Sequence, residues 1–229
     1  MSGRLMVDLF AGLGGASEAF RRAGWRVVTL DVEPMFKPDI LADVAAFEPP
    51  ADLRPDFVWA SPPCVEYALR RFNSDLEPSL ALVQHAKRII DKLSPRYWAL
   101  ENVRLSVPFI RQVLGPHRIA AGPYFLWGNF PRFIPSPVPN KGSASGPHYL
   151  RSALRAKIPL SLSQDMEAAV TYMLRAAETN GMPGSLLDAQ WALPLGALAV
   201  EPATRRPADP ALDPRICAAP VQNRGLFEA

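Results

Sequence analysis

Two side chains that could do covalent chemistry, Cys64 and Glu101, each follow a short apolar segment of the sequence. Cys64 comes directly after Ser61-Pro-Pro, and the prolines end the preceding segment because proline cannot donate to a sheet ladder. A thiolate is a nucleophile, and a carboxylate accepts hydrogen bonds. The alternative for Cys64 alone is a structural cysteine buried in a turn.

Both side chains are expected at one edge of a parallel sheet. The segments Asp56–Ala60 and Tyr97–Leu100 have the pattern of buried strands, and Leu76–Leu93 between them has helical spacing of apolar residues. Two successive βα units place the ends of their strands at the same rim, where ligands collect in open α/β sheets. A thiol and an acid side by side at that rim favour a functional site over packing alone.

A glycine-rich turn follows the first predicted strand. Arg4–Phe10 has a buried-strand pattern, Ala11–Gly15 contains three glycines, and Ser17–Ala23 has helical spacing that ends at Gly24. Strand, glycine turn and helix are typical of a nucleotide-binding opening, because glycine lets the backbone approach a ligand closely. The turn is not the six-residue dinucleotide fingerprint, so by itself it is weak evidence.

Acidic residues end the next two predicted strands. Trp25–Leu30 runs into Asp31 and then Glu33, and the segment Asp39–Val44 contains a second acid near its end. An acid at the end of the second strand can accept hydrogen bonds from both ribose hydroxyls, with Asp31 preferred to Glu33. The alternative is that both are solvated loop acids.

The composition indicates the general class of protein but does not identify its function. The 229 residues are 48% hydrophobic and 21% charged with a net charge of +3, as in a globular domain that tolerates a polyanionic partner. No apolar run suits a membrane span, and the two cysteines form no disulfide framework, so we expect a cytoplasmic protein. The three histidines have no metal-ligand spacing, and no metal is expected.

Three motifs together resemble the C5-cytosine DNA methyltransferase family, in particular its compact, phage-like members. They are Asp8–Gly15, Ser61–Cys64 and Glu101–Val103, in the order of the family and each after a predicted strand. Leu126–Pro131 is also similar to a stretch of the de novo-type enzymes. The resemblance covers about the first two-thirds of the chain, and the joint pattern is far more specific than any one motif.

The resemblance implies an α/β, doubly wound Rossmann-like S-adenosylmethionine-dependent methyltransferase fold with a mostly parallel mixed sheet. It implies methyl transfer to C5 of cytosine in DNA, on a flipped base, through a covalent bond between Cys64 and C6. Glu101 would bind the base, Pro63 would shape the nucleophile loop and Asn102 would brace it. The residues assigned to the cofactor are Asp8, Phe10, Gly12, Gly14, Gly15, Asp31, Val32, Asp43 and Val44.

The sequence departs from the family pattern at two positions. Val65-Glu66 follows the cysteine where the family usually has glutamine. Gly122-Pro-Tyr124 stands where the family has a pair of alternate arginines, so Arg118 or Arg132 would have to substitute, or the support is missing.

Residues 1–180 are predicted to be the catalytic domain, with a closing helix over 151–175. A separate target-recognition domain is replaced by residues 130–149, in which Arg132 and Lys141 would contact DNA together with Arg118. We therefore expect short or relaxed sequence specificity. Residues 181–229 are predicted to be a Pro-rich C-terminal extension that could bind a partner.

Two rival functions stay open at the level of sequence. The same fold could act on RNA or on a modified cytosine. The chain could also be a catalytically degenerate module that binds DNA or a partner, which the missing arginine pair favours and the intact cysteine and glutamate oppose.

Overall fold

The computed structural model describes residues 3–73, 75–140, 147 and 150–180. Seven strands are found there: β1 Leu5–Leu9, β2 Arg26–Asp31, β3 Ile40–Leu41, β4 Phe57–Ala60, β5 Tyr97–Val103, β6 Ile119–Ala121 and β7 Tyr124–Asn129. The helices are α1 Glu18–Arg22, α2 Val65–Leu69, α3 Ala81–Leu93, α4 Val107–Leu114, α5 Arg151–Ala156 and α6 Leu160–Asn180. Short 3-10 turns lie at Pro34–Phe36 and Arg104–Ser106.

The strands form one sheet in the order β3-β2-β1-β4-β5-β7-β6. The pairs from β3 through β5 are parallel, whereas β7 runs antiparallel to both β5 and β6. This arrangement confirms the predicted doubly wound Rossmann-like fold with a mostly parallel mixed sheet. The carboxyl ends of β1, β2, β4 and β5 therefore lie at one edge, which is the edge that positions the predicted site.

Alternating side chains of the sheet contribute to two hydrophobic cores, one on each face. The first core joins Met6, Phe57 and Tyr97 to α1 and α6. The second joins Val58 and Leu100 to α3 and α4. Both faces are thus covered by helices, which explains why the central strands read as continuous apolar runs in the sequence.

The start of α6 is fixed to the glycine-rich turn. The Ser163 hydroxyl donates to the Ala16 carbonyl at 2.6 Å and accepts a bond from the Ala19 N–H at 3.3 Å. A Cβ atom on Gly15 would lie 2.6 Å from both the N and the O of Ile158. The absent side chain of Gly15 therefore lets the segment before α6 pack directly on the turn.

Three elements differ from the sequence-based expectation. The closing helix predicted over residues 151–175 is two helices, because Pro159 lacks an N–H for a continuous helical ladder. β5 continues to Val103, since antiparallel pairing with β7 extends past Leu100. α2 was not predicted, and the helix expected from Leu76 begins only at Ala81, after Pro78.

Part of the predicted target-recognition loop is anchored to the catalytic core. Phe130 and Phe133 are buried in the first core, and Asp165 of α6 accepts bonds from the Ser136 N–H at 2.6 Å and its hydroxyl at 2.9 Å. Lys141 and the predicted extension at 181–229, with Cys217, lie outside the described residues. Within the described ranges, no helix has the length and apolarity to span a bilayer.

Candidate active site

The loop that presents Cys64 is fixed at three points beyond the end of β4. The Ser61 N–H donates to the Leu9 carbonyl of β1 at 3.2 Å, and the Trp59 indole donates to the Ser61 hydroxyl at 2.9 Å. The side-chain amide of Asn102 donates to the Pro62 carbonyl at 3.0 Å. Cys64 therefore follows a rigid segment, and it is only partly buried.

Glu101 and Asn102 lie next to each other on β5 and point to opposite faces of the sheet. Asn102 is buried on the side of the second core, where it reaches Pro62, and its Oδ1 accepts the Val103 N–H at 2.8 Å. Glu101 is 4% exposed and lies on the other face. Asn102 therefore ties β5 to the loop that precedes Cys64, while Glu101 lies on the opposite face of the same strand.

At the Val65-Glu66 departure from the family pattern, hydrogen bonds close a loop after Cys64. The Glu66 carboxylate accepts the Ser79 N–H at 2.6 Å, and the Tyr67 hydroxyl donates to the Ser79 carbonyl at 3.3 Å. These bonds join the start and the end of the segment between Cys64 and α3. Glu66 is therefore a structural anchor, a role that the sequence alone did not indicate.

The glycine-rich turn is fastened to the end of β2. The Gly12 N–H donates to Asp31 Oδ2 at 2.8 Å, while Asp31 Oδ1 accepts the Glu33 N–H at 2.9 Å. Gly12 and Gly14 adopt φ values of +50° and +69°, a region that favours glycine. Phe10 also has a positive φ of +61°, which is rare for a residue with a side chain. The glycine-rich turn and the Asp31 carboxylate are thus held together in a fixed arrangement at this edge of the sheet.

The other predicted cofactor residues differ in accessibility. Val32 is exposed, Val44 is buried in the second core, and the exposed Asp43 accepts the Ala45 N–H at 2.8 Å. A cavity of about 580 Å³ borders Gly12 and Gly14 on the α1 side of β2 and reaches Pro38. Its lining includes neither Cys64 nor Glu101, so the cavity flanks the edge and is not where chemistry at the thiol would occur.

Asp8 lies beneath the turn, buried on the α1 side of β1. It is hydrogen-bonded to Ser17, and its Oδ2 has no hydrogen-bond partner within the part of the chain that the structure describes. Burial raises the pKa of this carboxyl to about 7, against the opposing effect of Ser17 and the Arg21 charge. Asp8 therefore joins β1 to α1, beneath the surface that would face a cofactor.

The raised pKa of Asp8 makes the stability of the fold depend on pH. The folded chain binds this proton more tightly than the unfolded chain, so the free energy of unfolding falls as pH rises from about 4 to about 7. The loss amounts to at most about 4 kcal/mol. Asp8→Asn should flatten that part of the pH profile in urea unfolding, whereas the exposed Asp52→Asn should not. Equal profiles for Asp8→Asn and the natural chain would contradict this assignment.

The structure does not bring all the predicted basic residues to the Cys64 edge. The Arg118 guanidinium lies 5.5 Å from the ring of Phe130, beyond the end of β7 that faces away from this edge. Arg132 is exposed and also follows that end of β7. Arg118 is thus poorly placed to replace the missing arginines, and the DNA-contact roles of Arg132 and Lys141 stay predictions.

Tyr124 is the residue beside Glu101 that sequence reasoning did not assign. It begins β7 opposite Val103 and is buried, and burial together with the Glu101 charge raises its pKa to about 12. The sequence could have pointed to Tyr124, because this residue stands at a position where the resemblance expects an arginine.

Among the described residues, no group of His, Cys, Asp and Glu could hold a metal ion.

Comparisons with known proteins agree with this geometry. Residues 5–107 match the family model of the C-5 cytosine-specific DNA methylase. A probable DNA (cytosine-5)-methyltransferase of Frog virus 3 (isolate Goorha) is 35% identical over 115 residues, 42% of this chain. The chain spans 52% of the length of that viral protein.

Parts of some solved structures also align with this chain. A putative DNA modification methyltransferase from an E. coli prophage aligns with 20% identity and a TM-score of 0.41, covering 56% of this chain and 47% of that one. The Entamoeba histolytica methyltransferase EhMeth aligns with 16% identity and a TM-score of 0.39, covering 56% and 53%. The sequence match is the stronger of the two kinds of similarity, and it makes residues 5–107 similar to the C-5 cytosine-specific DNA methylase family.

Proposed function

We propose that this chain transfers a methyl group from S-adenosylmethionine to C5 of cytosine in DNA, with Cys64 as the nucleophile. The observation that supports this most directly is the Asn102–Pro62 hydrogen bond. It ties the strand of Glu101 to the loop of Cys64 within the family's matched region. A thiol and a carboxyl group are thereby kept at one edge, as attack on a polar ring requires.

In the proposed reaction the Cys64 thiolate forms a bond to C6 of the cytosine ring. Glu101 hydrogen-bonds to N3 and the exocyclic amine, which stabilises the charge that the addition places on the ring. C5 then takes the methyl group and loses its proton to a base, and the C6–S bond breaks to release the Cys64 thiolate. The net change replaces a C5 hydrogen with a methyl group and releases one proton. Because C6 is shielded inside a duplex, the base must leave the stack first.

The residues at the edge fit an adenosyl cofactor. A Cβ added to Gly12 would meet only the Phe10 carbonyl, at 4.0 Å, so the space above this glycine is open to a ligand. Both oxygens of Asp31 accept backbone N–H groups and retain lone pairs for ribose hydroxyls. We assign Phe10, Gly12, Gly14 and Asp31 to the cofactor, with Asp43 and Val32 beside its base. When bound, S-adenosylmethionine supplies an electrophilic methyl group.

An exposed apolar stripe on and just after α2 supports a nucleic-acid substrate. Val65, Leu69 and Phe72 are 60%, 46% and 77% exposed and recur at helical spacing directly after Cys64. The exposed Arg71 adjoins Phe72. Apolar side chains can fill the space that a displaced base leaves, and arginine contacts phosphate. This surface would meet the duplex next to the reacting base.

We also propose short or relaxed sequence specificity. Only 21 residues, 130–150, separate β7 from α5, and Phe130, Phe133 and Ser136 are used to anchor this segment to the core. Few side chains remain there to read base edges, and contacts to phosphates alone do not specify a sequence.

Trapping on DNA that contains 5-fluorocytosine tests the proposed reaction. Fluorine at C5 cannot leave as a cation, so the ring cannot expel the sulfur and the chain stays bonded to C6. We expect an adduct that requires S-adenosylmethionine, forms with several flanking sequences, and maps to Cys64 in a peptide digest. Omitting the cofactor is the matched control.

Other outcomes would redirect the function. Absence of an adduct on single-stranded and duplex DNA, with the cofactor bound, would refute DNA methylation. An adduct on RNA that contains 5-fluorocytosine would then assign the same chemistry to RNA. An adduct restricted to one long sequence would refute relaxed specificity alone.

A further inference from the structure

Glu101 needs a partner that fixes its carboxyl group, because a buried carboxylate can adopt several rotamers and only some of them present an oxygen to the base. It is 4% exposed and lies on the sheet face shared with Tyr97 and Ala99. The directly opposite residue on β7 is Leu126, which has no polar group. On β7, a polar contact to Glu101 would therefore come from a neighbour further along the strand.

Tyr124 is that neighbour. The antiparallel register pairs Glu101 with Leu126 and Val103 with Tyr124, so Tyr124 is diagonal to Glu101 on the same face. Diagonal side chains of this kind have Cβ atoms about 7 Å apart, within reach of an aromatic residue and a glutamate. Burial and the Glu101 charge both raise the pKa of the Tyr124 hydroxyl, as is expected if the two groups lie close together.

We propose that Tyr124 is a positioning residue, whose hydroxyl donates to the Glu101 carboxylate and leaves its other oxygen for the cytosine ring. The inference rests on the proposed function for its consequence in catalysis. The phenol can only donate if it stays protonated, and a pKa of about 12 keeps it so at neutral pH. Arg118 does not supply this contact, because its guanidinium lies over Phe130.

The test is Tyr124→Phe, which removes one hydroxyl and keeps the ring. We expect kcat for methyl transfer to fall roughly ten- to hundred-fold, as for loss of a hydrogen bond to a charged group, with an unchanged KM for the cofactor. Tyr97→Phe is the matched control, since Tyr97 is buried on the same face of β5, four residues earlier. Adding Tyr124→Phe to Glu101→Gln should give little further loss.

Two results would overturn the inference. One is an equal effect of Tyr124→Phe and Tyr97→Phe; the other is a double variant whose loss is the product of the two single losses. If the natural chain transfers no methyl group, the proposed function fails. The contact is then tested by urea unfolding of the natural chain, Tyr124→Phe, Glu101→Gln and the double variant. Additive shifts of the unfolding midpoint would refute the contact, and smaller-than-additive shifts would support it.

Discussion

Cys64→Ser is expected to lower the rate of methyl transfer by at least about 10⁴-fold, as loss of a covalent nucleophile does in other enzymes. A hydroxyl is far less acidic than a thiol, so the variant has almost no anion available to attack C6. The fold should be unaffected, because Cys64 is partly exposed and serine is nearly isosteric. Transfer of labelled methyl groups to cytosine-rich duplex DNA measures the loss.

The controls separate chemistry from binding. Cys64→Ser should bind S-adenosylmethionine with the affinity of the natural chain, since the cofactor residues assigned here lie at the ends of β1, β2 and β3. Cys217→Ser, which removes the second cysteine, should keep full activity. Methyl transfer by Cys64→Ser within tenfold of the natural chain would exclude a covalent role for Cys64.

The sequence predicted the parts of the fold that depend on local patterns. β1, β2, β4 and α3 follow from apolar periodicity, and the edge with Cys64 and Glu101 follows from their positions just after or at the ends of parallel strands. The contact of Asn102 with the loop that precedes Cys64 was expected only from the family resemblance. The structure adds its geometry, a bond from the Asn102 amide to Pro62.

Features that depend on long-range pairing escaped the sequence analysis. The Tyr124–Glu101 proximity requires the β5–β7 register, and no local pattern sets the register of two strands separated by a helix and a hairpin. The packing of Gly15 on Ile158 is likewise invisible until α6 is placed. α2 was missed because five residues give too little periodicity to distinguish a short helix from a turn.

Gly128 is a position at which the β5–β7 pairing leaves no room for a side chain. A Cβ atom on Gly128 would lie 2.3 Å from the carbonyl oxygen of Trp98 and 2.9 Å from its ring. The residue also has a φ of +133°, a conformation that side chains rarely adopt. The backbone of β5 cannot move away without losing the ladder that also aligns Tyr124 with Glu101.

Gly128→Ala is therefore expected to lower the free energy of unfolding by about 4 kcal/mol or more, the range of severe clashes with the backbone. Gly24→Ala is the matched control, because Gly24 has a φ of +83° but nothing lies within 4 Å of the added Cβ. That variant should cost only the conformational penalty of about 1–2 kcal/mol. Urea unfolding of both variants measures the loss in the free energy of unfolding. Equal losses for the two variants would mean that the β5–β7 contact relaxes without cost. A much larger loss for Gly128→Ala would show that the close approach of β5 and β7 at Gly128 is required for stable pairing of the two strands.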